Sequence, residues 1–154
     1  MFLEKEELDR DGYYVIENFF KPSIIQSQII SITQVIEGII ESAGLDRNLY
    51  FSRYEEIDEV LVRLISSHPK LQPILYDRLQ QMPALLAVPG SSTITNLASE
   101  ILSSERIGVW PRTQLRMDLP GDSENVINWH SDYIYNKGTV DSYTFWWPLV
   151  AMNS

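Results

Sequence analysis

The chain contains no cysteine. Disulfides, thiolate zinc sites and cysteine nucleophiles are thereby excluded, and nothing points to an oxidising compartment. Basic residues are few: 12 Lys and Arg stand against 21 Asp and Glu, for a formal net charge of −9. A nucleic-acid surface needs clustered Lys and Arg, so no nucleic-acid partner is expected. A small anionic ligand remains compatible, because one buried Arg or Lys can hold it. Long apolar runs are also lacking. Met1-Phe2-Leu3-Glu4-Lys5-Glu6-Glu7 is charged within four residues and has no signal-peptide core. No stretch nears transmembrane length, so the expectation is a soluble, cytoplasmic protein without a membrane partner.

What is present is globular in kind. A chain of 154 residues, 44% hydrophobic, can build one domain with a real core but not two comfortable ones. Asp11-Gly12 signals a turn, and the aromatic, β-branched run Tyr13 to Phe20 predicts a strand. Pro22 suits the first position of a helix, along which Ile25, Ile29, Ile32, Ile36 and Ile39 form one apolar stripe, closed by Ala43-Gly44. Ser52-Arg53-Tyr54-Glu55 fits a capping box ahead of a second stripe, Ile57, Val60, Leu61, Leu64 and Ile65. Leu71, Ile74, Leu75, Leu79 and Met82 predict a third helix, and Ile94, Leu97, Ala98, Ile101 and Leu102 a fourth. These stripes are core positions.

After Ser104 the period changes. Ile107 to Trp110 predicts a strand limited by Pro111. From Thr113 to Leu119 the residues alternate, with Leu115, Met117 and Leu119 on one face and Gln114, Arg116 and Asp118 on the other. Val126 to Tyr133 and Ser142 to Met152 predict two further strands. The expected class is therefore α+β, with residues 1–105 mostly helical after an early strand and residues 106–154 carrying strands.

Within the third of these strands lies Asn128-Trp129-His130-Ser131-Asp132-Tyr133. In an extended chain His130 and Asp132 share a face. Imidazole plus carboxylate, with open positions left over, is the ligand chemistry of a non-heme Fe(II) centre. The same spacing also describes a hydrogen-bonded pair at a strand end. Asn128 shares that face and could bond a ligand or water. The other histidine, His68, stands beside Pro69 at a helix end, which is its simplest role.

Several pieces together resemble the phytanoyl-CoA dioxygenase family of Fe(II)- and 2-oxoglutarate-dependent oxygenases. They are Asp11-Gly12-Tyr13-Tyr14-Val15-Ile16-Glu17-Asn18-Phe19-Phe20, Thr113 to Pro120, Trp129-His130-Ser131-Asp132-Tyr133 and Trp146-Trp147-Pro148-Leu149, in that order. The resemblance spans essentially the whole chain. It implies a helical layer packed on an incomplete double-stranded β-helix, or jelly roll, with an exposed sheet edge open to self-association. It implies hydroxylation of a small organic substrate with O2, using Fe(II) and 2-oxoglutarate. It assigns His130 and Asp132 to the iron, and Gln114, Arg116 and Trp146 to the co-substrate side. Family members carry a second iron-binding His downstream of this motif and beyond it an Arg for 2-oxoglutarate. Neither has a counterpart after Asp132 here, so the resemblance implies the amino-terminal portion of such an enzyme. The alternative is a non-catalytic fold relic that binds a ligand or a partner chain.

Overall fold

The computed structural model describes residues 5–51, 57–110, 113–117 and 141–150, together with residues 119, 121, 130, 132 and 139. Its regular elements are helices: α1 (Lys5–Asp11), α2 (Pro22–Ser42), α3 (Ile57–Ser67), α4 (Gln72–Leu79), α5 (Pro83–Leu86) and α6 (Ser92–Leu102). Short 3-10 turns at Arg47–Leu49 and Pro69–Leu71 link them.

Helix α2 organises the core. Pro22 occupies its first turn, and its end is capped by the Ala43 N–H donating to the Ile39 carbonyl and the Gly44 N–H donating to the Glu41 carbonyl. Gly44 follows with φ +68, a left-handed conformation that glycine adopts without a Cβ penalty. The fully inward face runs Gln28, Ile32, Ile36 and Ile40, rotated slightly from the Ile-rich stripe, with Thr33 beside it. Ile36 and Ile40 are buried with Val60 and Leu64 of α3 and Leu75 and Leu79 of α4. Full burial of each such side chain is worth about 1.5–3 kcal/mol. Helix α2 packs on α4 and α5. By length and composition it could also cross a membrane. Its apolar inward face lies in the protein core, which accounts for that composition equally well.

The other expected helices lie close to their stripes. In α4, Leu75 and Leu79 point in while Ile74 is exposed. Helix α6 opens on Ser91, whose hydroxyl accepts from the Ile94 N–H. The short α5, opened by Pro83, has no periodic signal long enough to predict it. The capping box at Ser52 lies outside the described residues.

The α+β jelly-roll expectation is corrected. Among the described residues no strand occurs, and hence no sheet with an edge. Residues 13–16, 107–110, 113–117 and 142–148 carry no regular assignment. The first of these runs into a turn at Asn18, whose φ is +53. The physical reason is that period-two patterning records which side chains alternate in and out, not which backbone partners they find. Here the alternation is met by lying on helices. Tyr14 and Ile16 pack on Leu8, Leu97 and Ile101, while Tyr13 and Val15 face out. Leu115, Met117 and Leu119 pack on the main core, while Gln114 and Arg116 face out. The missing backbone partners are side chains from the helical layer. Gln80 donates Nε2–H to the Leu115 carbonyl at 2.9 Å and accepts the Leu115 N–H on Oε1, also at 2.9 Å. The Tyr76 hydroxyl accepts the Met117 N–H at 3.3 Å.

This docking is testable. Gln80→Leu removes both partners of Leu115, and an unsatisfied part-buried amide or carbonyl costs about 1–3 kcal/mol. Urea unfolding should show a loss of that size, and hydrogen exchange should accelerate at the Leu115 amide. Ile36→Ala should cost about 2–5 kcal/mol without that local signature. Wild-type protection at Leu115 in Gln80→Leu would disprove the docking role.

Candidate functional site

The segment 142–150 positions the site. Phe145, Trp147 and Leu149 turn toward the helices: Phe145 onto the α1–α6 cluster, Trp147 and Leu149 onto the main core. Trp147 is anchored twice. Its indole N–H donates to Gln28 Oε1 at 3.1 Å, and its ring meets Phe20 edge-on at 5.6 Å between centroids. Gln28 is fully buried, and its Nε2 has no hydrogen-bond partner. The indole needs an acceptor, so this bond fixes which way the buried amide points. Thr144 and Trp146 stand on the outward face, Trp146 67% exposed.

Against Thr144 sits the His-x-Asp pair. The Thr144 hydroxyl donates to Asp132 Oδ2 at 2.5 Å. Asp132 Oδ1 lies 3.2 Å from His130 Nε2. The strand expected over Val126 to Tyr133 does not hold at Asp132, whose own backbone is helical. The side chains meet all the same, so their approach owes nothing to shared-face geometry. Both are partly open, with 30% of the His130 and 44% of the Asp132 side chain exposed, so an ion or solvent can reach them.

The arrangement supports two chemistries. With a proton on Nε2, His130 donates to the carboxylate and the two form a charge-assisted pair. With the proton on the other ring nitrogen, His130 Nε2 and Asp132 Oδ1 present a nitrogen and an oxygen donor to one cation. Two ligands about 2.0–2.2 Å from an ion and at a right angle to one another lie about 3.0 Å apart. The observed 3.2 Å therefore fits adjacent corners of one coordination sphere. Among the described residues no group of three or more His, Asp or Glu gathers to complete such a sphere. His68 instead lies within 3.0 Å of the Tyr50 hydroxyl through its Nε2, in the helical layer.

The remaining candidates are placed separately. Gln114 and Arg116 are exposed on the outward face of residues 113–117, and Trp146 is exposed beside Thr144. No described contact joins Gln114 or Arg116 to the His130–Asp132 pair. Asn128 and Trp129 lie outside the described residues. Sequence reasoning missed Thr144 and Gln28. Thr144 has no signal short of its distance to Asp132. Gln28 had one, since it falls four residues before Ile32 and eight before Ile36, on the most buried line of α2. Comparison with protein families, with curated proteins and with solved structures finds no match.

The two adjacent tryptophans should behave oppositely. Trp147→Phe leaves the buried Gln28 amide without its donor and should destabilise the protein by about 1–3 kcal/mol. Trp146→Phe, on the exposed face, should stay within about 0.5 kcal/mol of wild type. Denaturant midpoints measure both, and equal losses would contradict the assignment of faces.

Proposed function

We propose that this chain supplies two protein ligands, His130 and Asp132, to a mononuclear Fe(II) centre. We propose that it works as, or within, a 2-oxoglutarate-dependent oxygenase of the phytanoyl-CoA dioxygenase type, acting on a small organic substrate in the cytoplasm. The observation that carries this reading is the 3.2 Å approach of His130 Nε2 to Asp132 Oδ1, a separation suited to adjacent ligand positions. The resemblance of the segments around residues 11–20, 113–120, 129–133 and 146–149 supplies the rest.

When bound, the ion would offer open positions at which 2-oxoglutarate and O2 react. The chain's own residues perform simpler tasks. Deprotonated His130 gives a neutral nitrogen donor. The Asp132 carboxylate offsets charge and occupies a position that a halide would otherwise need, which favours hydroxylation over halogenation. The resemblance assigns Trp146 to the co-substrate side, where an indole would limit water at the reacting face. The resemblance assigns Gln114 and Arg116 to the carboxylates of 2-oxoglutarate.

A second reading is a ligand- or partner-binding module without turnover. Tyr13, Val15, Trp110 and Trp146 are exposed large apolar side chains, and joined in one patch they would mark such an interaction surface.

The two separate cleanly under anaerobic Fe(II) titration followed by assay of succinate formed with 2-oxoglutarate and O2. An oxygenase site binds Fe(II), and His130→Ala and Asp132→Ala each lose that binding. A version of the protein extended with a downstream His and Arg should convert 2-oxoglutarate to succinate, and residues 1–154 alone should not. Fe(II) affinity unchanged by either substitution would end the metal reading and leave the binding module.

A further inference from the structure

Asp132 has two carboxylate oxygens, and they are not equivalent. Oδ1 faces His130 Nε2 at 3.2 Å, while Oδ2 accepts the Thr144 hydroxyl at 2.5 Å. Building on the metal reading above, we propose Thr144 as a positioning residue that reserves Oδ2 and presents Oδ1 alone to the ion. The consequence is a one-oxygen carboxylate ligand. A carboxylate free to rotate could close over an ion with both oxygens and occupy a position that 2-oxoglutarate or O2 requires.

Two observations carry this assignment. The first is the bond itself, short for a hydroxyl donor and directed to a charged acceptor, which places it among the stronger kinds of hydrogen bond. The second is the anchoring of Thr144. Its segment is pinned by Phe145 on one cluster and by Trp147 and Leu149 on another, with the Trp147 indole bonded to buried Gln28. The hydroxyl is therefore referenced to the protein core rather than to a free loop. Partners that orient metal ligands in this way commonly govern affinity by about 10- to 100-fold.

The test uses the full chain and Co(II) as the probe, followed by calorimetry and by the visible absorption of the bound ion. Thr144 is exposed, so replacing it removes no core contact. Thr144→Val keeps the shape and loses the hydroxyl; it should weaken Co(II) binding by about 10- to 100-fold and change the absorption envelope as the carboxylate reorients. Thr144→Ser keeps the hydroxyl and should restore both affinity and spectrum to near wild type. Thermal melting checks that the two variants are equally folded, and comparison of Ser with Val holds even if both lose some stability. Wild-type affinity in Thr144→Val, with His130→Ala losing binding, would overturn the role of Thr144 and leave the metal reading intact. Equal loss in Val and Ser would overturn it as well. Unchanged binding in His130→Ala would overturn the metal reading beneath both.

Discussion

A polypeptide pressed against an apolar helical surface must find partners for the backbone groups it takes out of water. The structure meets that requirement with side chains. Gln80 presents the same donor and acceptor pair as a peptide group, and it uses both on Leu115 at 2.9 Å. It acts as one rung of a sheet supplied from the end of a helix. Tyr76 adds a second rung at Met117. Because those bonds hold residues 113–117 on α4, Leu115 and Met117 reach the core, and Gln114 and Arg116 are turned away from it. Every outward candidate on that segment depends on this arrangement.

The same logic extends to residues 142–150, with a different device. There a buried amide on α2 accepts from an indole, and the inward set Phe145, Trp147 and Leu149 spans both hydrophobic clusters. The polar atoms of the site gather on the opposite side, where water or a ligand has access. A packed interior thus sets the position of groups that lie outside it. The unpartnered Nε2 of Gln28 is the cost of that anchor: one donor buried without an acceptor, on a helix otherwise lined by isoleucine.

The helices were legible because their stripes are long and their ends are marked. Ile32, Ile36, Val60, Leu64, Leu75, Leu79, Leu97 and Ile101 are all interior, and Gly44 and Ser91 stand where a stop and a start are needed. Inward and outward faces of residues 113–117 were legible too, down to Leu115 and Met117. Strand pairing was not. Leu115 needs a donor and an acceptor, and nothing in a list of residues says whether a neighbouring strand or a glutamine thirty-five positions earlier supplies them. The meeting of His130 with Asp132 was expected from extended geometry and occurs with helical backbone at Asp132. Spacing pointed to two side chains that do approach one another, for a reason the backbone does not share.

The doubled tryptophan makes the chain nearly self-similar under a shift of one position. Were residues 142–150 to slide so that Trp146 took the place of Trp147, an indole N–H would still reach Gln28. Tyr143 would arrive opposite Asp132, bringing a phenolic hydroxyl where Thr144 had an aliphatic one. The polar contacts therefore discriminate poorly between the two registers. Discrimination falls to Phe145 and Leu149, which would be replaced inside by Thr144 and Pro148. Such an exchange forfeits apolar burial worth up to about 1.5–3 kcal/mol per side chain, and a one-residue slip otherwise turns every side chain to the wrong face. Two hydrophobic residues that touch no site atom thus decide which hydroxyl the carboxylate meets.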